Sequence, residues 1–153
     1  MDAETRDYLT ELGILKKQIH DTVQDLSDEA ANWRPLAEST NSIYALLVHM
    51  TGSETYWVRQ IINREALPRD REAEFRTSGG LREALGHLET TARANEQILA
   101  GLSAPQLGET RDVPVRPELG AVSVRWCVLH VISHYAVHLG HIQLTRQLWE
   151  QRK

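Results

Sequence analysis

The sequence predicts an all-α protein: a four-helix bundle with long connections between helices 2 and 3 and between helices 3 and 4. Three observations predict it. Apolar residues recur at spacings of three and four through four long stretches. Strict alternation of β-branched residues is scarce. All five prolines fall between the periodic stretches, where they punctuate rather than interrupt them. At 153 residues the chain fits one domain, 1–153, around one core.

Each element follows in order. Tyr8, Leu9, Leu12, Leu15, Ile19, Val23 and Leu26 place the apolar face of a first helix over about 3–26. In the loop "SDEAANWRPLAEST", Pro35 disfavours helical geometry at Arg34. Asn41 or Ser42 caps a second helix carrying Ile43, Leu46, Leu47, Met50, Trp57, Val58, Ile61 and Ile62, which ends before Pro68. "LPRDREAEFRTSGG" is charged and aperiodic, hence a connection. A third helix runs from about Leu81 to Leu99, with Ser78 as its cap, Leu81, Leu85, Leu88, Ala92 and Leu99 inward, and Gly101 at its end. Residues 102–122 form a loop in which "RDVPVRP" supplies a short extended piece. The fourth helix starts at Ser123 and reaches about Glu150.

Composition narrows the function classes. A net charge of -4 offers no positive excess for phosphates, so no nucleic-acid partner is expected. The lone Cys127 cannot build an internal disulfide, and no apolar run matches a membrane span. The acidic, polar opening "MDAETRDYLT" reads as no signal peptide. The expected setting is the cytoplasm, and a homodimer is expected from the aromatic-rich helices.

The chemistry lies in "HVISHYAVHLGH", which holds four of the chain's seven histidines. His134 and His138 stand one helical turn apart and about 40° around the axis, so their rings can converge. His130 and His141 lie within about 80° of that pair, on the same stripe. A catalytic zinc-type site uses three protein ligands and one open position, so another helix must contribute. His49, at the edge of the second helix's apolar stripe, is the best candidate; His20 and His87 have poorer surroundings. Each histidine taken singly also fits a hydrogen-bonded core or boundary residue. Spacing alone leaves open which of the four on the stripe would bind. No carboxylate matches them on that stripe, and Glu54, about 140° round from His49, reads as a surface or helix-end group. Cys127 reads as a buried small hydrophobe.

Three stretches resemble the DinB-like superfamily of metal-binding four-helix bundles, which includes the YfiT-type proteins. They are "NWRPLAESTNSIYALLVHMTGSETYW", "REALGHLETTARANEQILAGLS" and "VLHVISHYAVHLGHIQLTRQLW". The resemblance implies His49, His134 and His138 as ligands of a divalent metal, zinc or nickel. It makes His130 and His141 flanking residues, with His141 orienting the site or its rim. It implies a metal- and thiol-dependent transferase acting on a small molecule in stress or detoxification. The alternatives are a metal-dependent hydrolase and a non-enzymatic metal-binding bundle. A low-molecular-weight thiol such as mycothiol or bacillithiol would be the cofactor. Arg125 and Arg116, with Arg111, are the residues expected to meet its carboxylates. The missing carboxylate base favours thiol chemistry over hydrolysis.

Overall fold

Four long helices carry the fold in this computed structural model, which describes residues 1–152. They are α1 (Ala3–Val23), α3 (Ile43–Glu54) with its π-helical continuation Thr55–Ile62, α5 (Leu81–Ala100) and α7 (Val124–Gln151). Short helices α2 (Asp28–Asn32), α4 (Arg71–Glu74) and α6 (Ala104–Leu107) lie in the connections. The strands β1 (Thr110–Asp112) and β2 (Ala121–Ser123) form an antiparallel pair with Arg111 opposite Val122. Gly120, at φ +61°, turns the chain into β2 through a conformation that favours glycine.

Side-chain caps set most of the starts. Asp2 accepts from the Thr5 amide, Ser42 from Ala45 and Ser123 from Trp126, each at 3.0–3.1 Å. Ser78 does not cap α5. Gly80 occupies that position without a side chain, and Asp28 of α2 reaches across to accept from the Leu81 amide at 2.8 Å. The cap comes from a distant segment, so local sequence could not reveal it.

Around the bundle, α1 packs on α7, α7 on α3, α3 on α5, and α5 on α1. The expected pairing of the second and fourth long helices is therefore present. α3 is buried on nearly every side: Ile43, Tyr44, Ala45, Leu46, Leu47, His49, Met50, Ser53 and Glu54 are all inside. A helix apolar all round belongs in a core rather than at its edge. On α5 the inward row is Leu81, Ala84, Leu88, Asn95 and Leu99, while Leu85 and Ala92 are only half-buried. No described helix is long and apolar enough to cross a membrane.

Two side chains of the "NWRP" loop fasten the connection between α3 and α5. Asn32 donates to the Gly79 carbonyl at 2.8 Å and accepts from the Gly79 amide at 3.1 Å. Arg34 bridges the Thr40 and Phe75 carbonyls. This charged, aperiodic segment is thus held against α3, with Phe75 beside the histidines.

Candidate metal centre

α7 presents His134 and His138 one turn apart, and α3 presents His49 from across the bundle. The three rings meet. Nε2 of His134 lies 3.0 Å from Nε2 of His49 and 3.1 Å from Nε2 of His138. One ligand atom from each lies within 4.8 Å of the others. The Phe75 ring packs on His49 with centroids 4.4 Å apart, closing that side.

A carboxylate that sequence reading missed fixes the orientation of His49. Glu74 of α4 lies with Oε2 2.8 Å from His49 Nδ1. Arg69 grips the same carboxylate through Nε at 2.7 Å and Nη2 at 3.0 Å. Burial alone would raise the Glu74 pKa, but its bonds to His49 and Arg69 outweigh that and hold it below the ordinary value. The carboxylate accepts, so the His49 proton sits on Nδ1 and Nε2 faces the other rings with a lone pair.

Burial lowers the pKa of His134 to about 3 and of His138 to about 4, with neighbouring imidazoles adding to the effect. Both are neutral at pH 7, the form that ligates a metal. Hydrogen bonding alone serves these rings poorly. A single proton on His134 Nε2 would have to be shared between His49 and His138. Three converging lone pairs instead suit a cation, and the donor set of neutral imidazoles suits a divalent transition metal.

The flanking histidines take different places. His141 lies with Nδ1 3.3 Å from His138 Nδ1, at the rim. His130 stacks on Trp126, with ring centroids 4.9 Å apart and planes 12° apart, and also meets Trp57. It shares a 440 Å³ cavity with His49 and His134. Arg116 lines that cavity as well, together with Arg69 and Arg71, which sequence reading did not single out. Arg125 lies elsewhere. It pairs with Glu4 of α1, because its place in the first turn of α7 faces away from the histidine stripe. Arg111 is held by the Ile62 carbonyl and Glu109.

Glu54 is a correction to the sequence reading. It is 1% exposed, not a surface group, and it accepts from Lys16 at 2.7 Å and from the Tyr135 hydroxyl at 2.6 Å. Its face of α3 is also buried, since α3 runs through the core. Cys127 is buried as expected, and burial pushes its thiol up to about 11, which suppresses the reactive thiolate.

The comparisons agree with this architecture. A conserved protein from Enterococcus faecalis matches with a TM-score of 0.82 at 15% identity, over 99% of each chain. YfiT from Bacillus subtilis, described as a "probable metal-dependent hydrolase with an unusual four-helix bundle topology", matches with a TM-score of 0.77 at 13% identity. That match covers 96% of this chain and 89% of YfiT. At such identities the likeness is one of fold. Comparison with the curated proteins finds no match. A family model described as mycothiol-S-transferase matches residues 9–151, nearly the whole chain. The chain belongs to the mycothiol-S-transferase family of DinB-like helical bundles.

Proposed function

We propose that this protein is a divalent-metal-dependent S-transferase that joins a low-molecular-weight thiol, of the mycothiol or bacillithiol kind, to a small electrophile in detoxification or stress. His49, His134 and His138 would hold the metal, zinc or nickel. One observation carries the reading: His49 and His134 of the triad border a 440 Å³ cavity whose lining contains no carboxylate. A hydrolase usually wants a free acid or base beside the metal. Here Glu74 is committed to His49 and Arg69, and Glu54 to Lys16 and Tyr135.

When bound, a divalent cation supplies Lewis acidity that favours the thiolate over the thiol at neutral pH. The chain's residues do the rest. Glu74 keeps the proton of His49 on Nδ1 and its Nε2 available. His130, kept neutral by burial and by the nearby Arg116 charge, lines the cavity without serving as a base, and the proton that the thiol sheds leaves to solvent. Trp57 and Trp126 fix its ring and cover that side of the cavity. In the transfer a sulfur–carbon bond forms and the electrophile's leaving group departs with the bonding pair.

The test is conjugate formation by metal-loaded protein, given mycothiol or bacillithiol and an alkylating electrophile and followed by chromatography. Conjugate above the metal-free background supports the reading. Metal-dependent ester or amide cleavage without conjugate would replace it with hydrolysis.

A further inference from the structure

The cavity beside the triad carries more positive charge than binding a metal requires. Arg69, Arg71 and Arg116 all line it, and no Asp or Glu does. Arg69 uses Nε and Nη2 on Glu74, and neither bond engages Nη1. Arg71 and Arg116 pair only with sequence neighbours, Glu72 at 3.3 Å and Glu118 at 3.1 Å. Those glutamates are 73% and 62% exposed, and such surface pairs are weak enough for a ligand to displace.

A second observation points the same way. Tyr56 lines this cavity and is only 6% exposed. Its hydroxyl is buried and meets the Val115 backbone without a well-formed hydrogen bond. Buried polar groups are nearly always well partnered, so a poorly satisfied hydroxyl in a cavity wall has hydrogen-bonding capacity left for a ligand atom. The other large cavity beside the histidines, of 520 Å³, is lined by Trp33, Leu36, Leu144 and Leu148 and by no arginine. The cavity that reaches His49 and His134 therefore differs in chemistry from the one that reaches only the rim histidine, His141.

We propose that the arginine-lined cavity is a carboxylate subsite: Arg71 and Arg116 hold the carboxylate end of a small-molecule co-substrate and Tyr56 donates a hydrogen bond to it. Guanidinium groups match carboxylates through paired, charge-assisted hydrogen bonds. The inference rests on the reading of the triad as a reaction centre, and it makes the preferred co-substrate an anion rather than a neutral sugar-like molecule. The carboxylate belongs either to the thiol or to the electrophile.

Calorimetric titration with four probes tests it. Mercaptosuccinate and 1-thioglycerol are thiols with and without carboxylates; malate and glycerol replace the thiol by a hydroxyl. Malate should bind the metal-free protein at least about tenfold more tightly than glycerol. Zinc-loaded protein should prefer mercaptosuccinate to thioglycerol by a similar factor. Arg71→Ala combined with Arg116→Ala should abolish both preferences, and Tyr56→Phe should reduce them several-fold. Arg93→Ala, on the exposed face of α5, should leave them intact. With zinc present, a gain of mercaptosuccinate over malate assigns the carboxylate to the thiol, and equal binding assigns it to the electrophile. Equal binding of charged and neutral probes overturns the subsite, as does a preference that survives the double arginine variant. The metal-free arm keeps the outcomes separate: malate preference without metal binding would retain the subsite and sink the proposed reaction.

Discussion

His49 and Glu74, 25 positions apart in sequence, are joined at 2.8 Å through Nδ1 and Oε2. The carboxylate comes from α4, inside the connection between α3 and α5, and Arg69 holds it in turn. A ligand histidine whose second nitrogen meets a carboxylate has its tautomer fixed and its basicity raised. Glu74→Gln keeps an acceptor but removes the charge. It should weaken zinc or nickel affinity about 10- to 100-fold while the helical circular-dichroism spectrum stays that of the parent. Unchanged affinity in a competition titration with a chelating dye would show that Glu74 only closes the core.

The four histidines of α7 should separate by role. His134→Ala and His138→Ala each remove one of three converging donors and should reduce metal binding below one equivalent at micromolar concentration. His130→Ala should keep about one equivalent, because that ring stacks on Trp126 rather than meeting the other two ligands. Metal stoichiometry on the purified variants decides it, and the reverse pattern would refute the ligand assignment.

Acid should destabilise the metal-free protein before ordinary carboxylates titrate. His134 and His138 are held at about 3 and about 4, below the usual 6.5. Below about pH 6.5 the unfolded chain takes up protons that the folded one refuses, so stability falls with falling pH, through both groups down to about 4 and through His134 alone down to about 3. Each proton contributes at most about 1.4 kcal/mol per pH unit. Urea midpoints at pH 7.5, 6.5, 5.5 and 4.5 should decline across the last three. A variant with both histidines replaced by alanine should show a flatter profile; an equally steep one would assign the acid sensitivity to other groups.

How far the sequence could be read follows from where each signal resides. The long helices and the caps Asn41/Ser42 and Ser123 were legible because periodicity and capping are local; Ser42 and Ser123 are the caps used. The His134/His138 pair was legible because one helical turn fixes it, and the resemblance supplied His49. Glu74 was not legible. It lies in a segment with no periodicity, brought to the site by Asn32 and Arg34 from another loop. Glu54 was misread because a polar residue off the apolar stripe was taken to face water, whereas α3 has no watery face there. The π-helical turn at Thr55–Ile62, a form often found at functional sites, has no sequence signature of its own.

The buried Lys16–Glu54–Tyr135 group joins α1, α3 and α7 and should matter to stability. Glu54→Ala strips Lys16 and the Tyr135 hydroxyl of their shared partner and should cost about 3–5 kcal/mol. Tyr135→Phe removes one donor from a buried carboxylate and should cost about 1–3 kcal/mol. Denaturant unfolding measures both, and a change below about 0.5 kcal/mol in either would show that water replaces the missing partner.

Gly52 gives the sharpest test of how the metal centre is braced. A Cβ there would stand 2.2 Å from Glu74 Oε1 and 2.9 Å from its Cδ, so the carboxylate must move. A free glutamate could swing aside at little cost. This one is tied to Arg69 by two bonds and to His49 by a third, so moving it breaks the brace. Gly52→Ala adds only a methyl group, within a helix where alanine is otherwise favoured over glycine. It should therefore weaken metal affinity about as much as Glu74→Ala, although residue 52 is no ligand. Two changes acting through one side chain do not add, so the double variant should lose little more affinity than either single one. Metal affinities of the parent, both single variants and the double variant complete the cycle. Additive losses would mean that Gly52 acts on the site by a route other than Glu74.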